Sequence, residues 1–301
     1  MKTIDKDNMF QSIWDFPENI IDALKISEKI KIKNDYENVN KVIVAGMGGS
    51  AIGGDVVNSL IEEDINIPFI VNRGYNLPAW VDSSTLIICS SYSGNTEETL
   101  SILEKANSIN AKVIGITTGG KLETLCGKYD YDKVLIPSGL QPRAALAFSF
   151  IPLLCVLKKV GVINTDIEPW LHSAAKLIKS KRIEYSEDEG KNPVWALANK
   201  IYSKLPIIYA DSDGLDTVAI RLKGQICENS KILAYHNIYP EMNHNEIVGW
   251  HNNAEYFSNY FVLWVMDKDM NERNKSRQSI ISNILSGLKV KQEIIEVEGD
   301  G

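Results

Sequence analysis

Cysteine and histidine are scarce, with four of each in 301 residues. Cys89, Cys126, Cys155 and Cys227 form no CxxC pair, so their spacing builds neither a zinc site nor a local dithiol motif. They read as reduced thiols of a cytoplasmic protein, three of them in apolar or helical runs. No apolar run reaches the roughly 18 residues of a membrane helix, and the polar start, Met1 to Phe10, has no apolar signal-peptide core. The expectation is a cytoplasmic chain with no membrane partner. Positive charge is also in deficit. Lysine and arginine total 32 against 39 acidic residues, a net charge of −7. That balance gives no global attraction to nucleic acid or anionic lipid. An anionic ligand must be met by donors placed locally.

What is present is ordinary for a soluble globular protein: 44% hydrophobic and 24% charged residues. The length favours two domains over one. Residues 1–35 read as N-terminal helices interrupted near Pro17. Short β-branched runs then alternate with helical segments. Strands are expected at Lys41–Ala45, Phe69–Asn72, Thr85–Cys89, Lys112–Thr117 and Lys133–Ile136, and a long apolar helix at Ala144–Lys159. This alternation predicts an α/β fold with a doubly wound parallel sheet over 36–162. A charged helical stretch, 163–192, ends in the acidic run Ser186–Asn192 and reads as a linker. Residues 193–301 repeat the logic on a smaller scale: strands at Pro206–Ala210, Ile232–Tyr235, Phe261–Met266 and Val290–Val297, helices at Leu215–Asn229 and Arg273–Gly287, and a short helix at His244–Trp250.

The most informative stretch is Ser91-Tyr92-Ser93-Gly94-Asn95-Thr96-Glu97-Glu98-Thr99. It follows a buried-type strand and opens a helix. The first four N–H groups of a helix have no partner within it and carry partial positive charge. Small hydroxyls beside them suit a phosphate monoester. By residue type alone, Ser91, Ser93 and Thr96 also fit simple helix capping. A second glycine-rich turn, Gly46 to Asp55, follows the first strand. Gly46-x-Gly48-x-x-Ala51 matches a dinucleotide fingerprint, but the next strand ends Val71-Asn72-Arg73, without the carboxylate that holds ribose hydroxyls. Arg73 would instead suit the 2′-phosphate of NADP. A tight turn with close packing explains the same glycines.

Four motifs together make a pattern: GMGGSAIGGD at 46–55, SYSGNTEET at 91–99, PRAAL at 142–146, and the run from KGQICENSK to NHNEIVGW at 223–250. In this order they resemble the bifunctional phosphoglucose/phosphomannose isomerase family, built from two sugar isomerase (SIS) domains. The resemblance implies exchange of glucose 6-phosphate, and of mannose 6-phosphate, with fructose 6-phosphate through a cis-enediol. It implies that Ser91, Ser93 and Thr96 bind the sugar phosphate and that Gly49 and Ser50 line the sugar. Arg143 would stabilise the enediolate, Glu228 would carry the proton between C2 and C1, and His244 would assist ring opening from the other subunit of a homodimer. One base, one cation and one histidine suffice for such chemistry, so neither metal nor cofactor is expected. Alone, Glu228 also fits a solvated surface acid, Arg143 an ion pair at a helix start, and His244 a cap. His172, His236 and His251 match no role. Family members continue beyond the last strand into a helical segment bearing an active-site lysine. This chain stops at Gly301, so the second SIS domain is expected to lack that segment, and Lys289 and Lys291 do not take the role. The alternative to an enzyme is a regulatory SIS protein that binds a sugar phosphate without turnover.

Overall fold

Strands whose residues are apolar on both faces need cover on both faces, and the first sheet has it. The computed structural model describes residues 5–187, 190, 192–252 and 254–297. They form two units, one ending at Glu184 and the next beginning at Tyr185. In the first unit β1 (Lys41–Ala45), β2 (Phe69–Asn72), β3 (Thr85–Ser91), β4 (Lys112–Thr117) and β5 (Asp132–Leu135) form an all-parallel sheet in the order β2-β1-β3-β4-β5. Val42, Val44, Leu86, Ile88, Ile114 and Ile116 point to one face. That face is covered by α2 (Phe16–Glu28), α3 (Gly49–Ile61), α6 (Leu146–Lys159) and the start of α7 (Glu168–Tyr185). Their alternates Ile43, Ile87, Cys89 and Val113 point to the other, under α4 (Glu97–Ser108) and α5 (Gly120–Lys128). The period-two alternation of strand side chains thus divides one run of apolar residues between two cores. The short α1 (Met9–Trp14) precedes α2, and Pro17 sits in the first turn of α2 rather than between the two helices. There its missing N–H costs nothing.

The second unit is smaller. It runs through α8 (Pro193–Ile201), β6 (Leu205–Asp211), α9 (Asp216–Gln225), β7 (Tyr235–Tyr239), α10 (Glu241–Asn245), β8 (Tyr260–Asp267), α11 (Glu272–Gly287) and β9 (Lys291–Val297). Its sheet is also all parallel, in the order β7-β6-β8-β9. Tyr209, Trp264, Tyr239 and Leu285 fill one core; Ile208, Ala210, Leu263 and Ala219 fill the other.

Several elements differ from the sequence expectation, among them the short helix expected at His244–Trp250, which divides into α10 and a 3₁₀ stretch, Ile247–His251. The helix after β1 begins at Gly49, inside the stretch read from sequence as a glycine-rich turn to Asp55, because Gly53 and Gly54 serve packing rather than a loop. A Cβ on Gly53 would lie 2.1 Å from Ser149 Oγ, and one on Gly54 3.0 Å from Val71. Helix α5 was not expected. The strand expected at 232–235 starts only at Tyr235, since Ile232 and Leu233 are exposed after a left-handed turn at Lys231. The helix expected to Asn229 ends at Gln225 and widens into a π turn, Ile226–Ser230.

The segment between α2 and β1 is tied to the sheet by one buried carboxylate. Asp132 accepts hydrogen bonds from Lys33 N at 3.0 Å, Asn34 N at 3.0 Å, Asn34 Nδ2 at 3.1 Å and Tyr36 Oη at 3.0 Å. Burial works to raise its pKa, but the Asn34 and Lys33 amides and the Tyr36 hydroxyl outweigh that and hold it below the usual carboxylate range. A carboxyl lowered on folding stabilises the fold above its unfolded pKa of about 4 and loses that contribution as pH falls through the folded value. Replacing Asp132 with Ala is expected to lower unfolding free energy at pH 7 by about 1–3 kcal/mol. In urea titrations the gap from wild type should shrink as pH drops below about 4. An equal gap at pH 7 and pH 3 would contradict the account.

Candidate active site

In a parallel sheet of this strand order the connections leave β1 and β3 in opposite directions, and ligands occupy the crevice beyond their carboxyl ends. Both sequence-predicted phosphate-side loops start there. Gly49 and Ser50 open α3 just after β1, and Ser91 closes β3. Strand β3 is two residues longer than expected, so Ser90 and Ser91 are buried strand residues and not loop.

The loop from Ser91 to Thr96 is held from below. Gly94 has φ +68°, and a Cβ there would lie 1.8 Å from Gly119 O, so only glycine fits this approach to the β4–α5 loop. Across that contact Leu122 N donates to Gly94 O at 2.9 Å, Lys121 N to Asn95 Oδ1 at 3.2 Å, and Thr118 Oγ1 to Tyr92 O at 2.7 Å. Leu140 N donates to Tyr92 Oη at 3.0 Å. Thr96 is the N-cap of α4 in extended conformation, yet its side chain makes no capping hydrogen bond. Its hydroxyl meets Ser91 Oγ at 2.8 Å instead. Ser93 is exposed and accepts from Asn95 N at 3.2 Å. The capping explanation for Thr96 is therefore not what the geometry shows. The hydroxyls of Ser91 and Thr96 are paired with each other beside the start of α4.

Arg143 sits in a 3₁₀ turn, Pro142–Ala144, between β5 and α6. Gly49 is what lets that turn come close: a Cβ on Gly49 would stand 2.8 Å from Pro142 O. Ser149 of α6 fastens the same corner by donating to Gly49 O at 3.1 Å. The first unit thus brings Gly49, Ser50 and Arg143 together at the edge where Ser91–Thr96 also lie. Arg73, the residue that an NADP reading needs, is ion-paired with Asp55 of α3.

Glu228 and His244 belong to the second unit, and the structure does not bring them together within one copy. Glu228 is exposed in the π turn that ends α9; such turns recur at functional sites. Because α9 runs back against the strands, this turn lies at the amino edge of the sheet, just before β7 starts. His244 is exposed on α10, just after β7 ends at the carboxyl edge. The five residues of β7 alone put about 16 Å between those edges. Arg221 of α9 lies in the field of Glu228; burial lowers its pKa while the Glu228 charge acts in the opposite direction.

The residues that hold His244's helix were not picked out from sequence. Glu246, directly after α10, accepts from Tyr209 Oη at 2.5 Å and from Asn237 Nδ2 at 2.5 Å. Tyr209 Oη in turn accepts from Trp250 Nε1 at 3.2 Å. Burial, then the Glu246 charge, pushes the Tyr209 phenol above its ordinary pKa. The only advance signal was that Glu246 and Trp250 share the NHNEIVGW run. Among the described residues no group of three or more His, Cys, Asp or Glu could hold a metal ion, and no helix is long and apolar enough to cross a membrane.

Comparison with known proteins adds a family. The SIS domain model matches residues 35–138, and the model described as bacterial phospho-glucose isomerase C-terminal SIS domain matches residues 190–301. The chain is 44% identical over 282 residues to a bifunctional phosphoglucose/phosphomannose isomerase of Caldicellulosiruptor bescii, covering 93% of this chain and 83% of that protein. An Aquifex aeolicus protein of the same description is 36% identical over 270 residues, 89% of this chain and 80% of its own length. Among solved structures, the C-terminal domain of a Francisella tularensis glucosamine-fructose-6-phosphate aminotransferase superposes with a TM-score of 0.70 at 17% identity, over 96% of this chain and 83% of that one. That likeness speaks for the fold alone. With two SIS-type parallel sheets and identity of this extent along most of its length, the chain belongs to the bifunctional phosphoglucose/phosphomannose isomerase family.

Proposed function

We propose that the protein is an aldose–ketose isomerase that interconverts glucose 6-phosphate, and mannose 6-phosphate, with fructose 6-phosphate. Family membership sets the reaction class. The observation that carries the substrate reading is the Ser91–Thr96 loop, whose hydroxyls are paired beside the start of α4 instead of capping it. A phosphate there would take the hydroxyls of Ser91, Ser93 and Thr96 and the N–H groups of the first turn of α4. Gly49 and Ser50 line the sugar, and Arg143 faces the oxyanion that develops when a proton leaves the carbon next to the carbonyl. Glu228 takes that proton from C2 of the open-chain aldose, exchanges it with solvent, and delivers a proton to C1 of the enediol. Both aldoses collapse to the same enediol, so one base serves both epimers. The chemistry asks for neither metal nor redox cofactor. A hexose phosphate does not cross a membrane unaided, which favours a cytoplasmic enzyme. The non-catalytic alternative gains nothing from the relatives, and the Asp55–Arg73 pair accounts for the arginine on which an NADP site would depend.

Glu228 and His244 stand at opposite edges of one sheet, so a complete site takes Glu228 from one copy and His244 from another. This supports a homodimer with shared sites.

Two measurements test these assignments. Glu228→Gln is expected to lower kcat by about 10²–10⁴-fold while calorimetric affinity for fructose 6-phosphate stays within a few-fold; undiminished turnover would sink the role of Glu228. Co-expressing Glu228→Gln with His244→Ala, each nearly inactive alone, should yield hybrids with one intact site. Random pairing makes half the dimers hybrid, so activity should return to about one quarter of wild type. A mixture no more active than its parents would rule out sharing.

A further inference from the structure

Helix α10 has only five residues, far below the length at which a helix holds itself together in water. Its position must come from what pins it. Two things do so. Met242 is fully buried on its inner side, and Glu246 closes its C-terminal end. Glu246 is bound by a donor from the central strand β6, Tyr209 Oη, and by one from the neighbouring strand β7, Asn237 Nδ2, each at 2.5 Å. The donors are themselves fixed. Tyr209 is fully buried, packs on Trp264 with ring centroids 5.1 Å apart and accepts from Trp250 Nε1 at 3.2 Å. Asn237 has its carbonyl oxygen taken by Ile238 N at 2.8 Å, so its amide nitrogen is the group left to face Glu246.

We propose that Glu246, held by Tyr209 and Asn237, is the positioning residue that sets His244 for delivery into the site of a partner copy. The inference rests on the reading of His244 as the ring-opening residue donated between subunits. A carboxylate accepts from both partners at once, one at each oxygen. A glutamine keeps one acceptor and turns an N–H₂ toward the other partner, so one of the two donations to residue 246 is lost. The resulting tilt of a five-residue helix moves the imidazole two residues away, and misplacement by about 1 Å can cost about a hundredfold in rate. Glu246 itself touches no substrate in this account.

Hybrid dimers separate this from a merely structural role. Glu246→Gln alone is expected to lower kcat about ten- to a hundredfold with KM for fructose 6-phosphate within about threefold. The defect should travel with His244. Co-expression with Glu228→Gln should restore about a quarter of wild-type activity, since the intact Glu228 of one chain meets the well-held His244 of the other. Co-expression with His244→Ala should restore nothing, because both chains then deliver a faulty His244. If Glu246 merely keeps the second unit folded, the Glu228 of the same chain fails too, and neither mixture recovers; that result overturns the proposal, as does wild-type kcat in Glu246→Gln. Tyr209→Phe, which keeps the buried ring and removes only the hydroxyl, should show the same pairing pattern if Glu246→Gln proves insoluble. If instead the pairing of His244→Ala with Glu228→Gln fails to recover activity, the shared-site reading falls and takes this inference with it. Recovery there with no selective pattern for Glu246→Gln or Tyr209→Phe removes the inference alone.

Discussion

Every strand of both sheets runs parallel to its neighbours, and the rest of the arrangement depends on that. Parallel strands force each connection to cross the sheet and return. All strand-to-helix loops then emerge at one edge and all helix-to-strand loops at the other. In the first unit this gathers Gly49, Ser50, Ser91, Ser93, Thr96 and Arg143 at one edge, although up to about ninety residues separate them in the chain. In the second unit the same rule does the reverse. It places Glu228, at the end of a helix, and His244, after a strand, at opposite edges. One constraint therefore explains both why the residues proposed for the phosphate side lie together and why Glu228 and His244, if both serve one site as proposed, would have to come from two copies.

Close backbone contacts translate this layout into a usable loop. Gly94 against Gly119 and Gly49 against Pro142 are approaches that no side chain larger than hydrogen allows. They press the Ser91–Thr96 loop on its neighbour and the Arg143 turn on α3. With the loop fixed by backbone bonds from Leu122 and Lys121, its hydroxyls need not also serve as helix caps. On the proposed reading of this loop as the phosphate site, the donors stand in place before an anion arrives, and little ordering remains to oppose binding.

Much of this was legible in the sequence. Strands β1, β2 and β4 begin and end where their β-branched runs do, because an apolar strand covered on both faces has no other low-energy home. The Ser91–Thr96 loop, proposed as the phosphate site, stood out through its hydroxyls and Gly94. What stayed hidden has physical causes. Ser90 and Ser91 look like loop residues, yet they are the buried last rung of β3. Ile232 and Leu233 look like strand but remain exposed, while the more polar Tyr235–Tyr239 pairs with β6. Helix α5, Gly120–Lys128, begins in a glycine pair and carries only Leu122 and Cys126 as buried residues, too few to mark a period. The Glu246–Tyr209 bond joins residues 37 apart, and nothing in local pattern announces it. That Glu228 and His244 lie apart is a property of topology and only appears once the strands are ordered.

The proposed reaction turns on proton transfer through an enediol shared by both aldoses. It is tested most directly by isomerising fructose 6-phosphate in D₂O and locating deuterium by NMR. The account predicts label at C2 of glucose 6-phosphate and of mannose 6-phosphate alike, because a carboxylate that has taken the C1 proton exchanges with solvent before returning one at C2. Isomerisation with no deuterium at C2 of either product would mean that the hydrogen passes between the carbons without exchanging with solvent, and would contradict it.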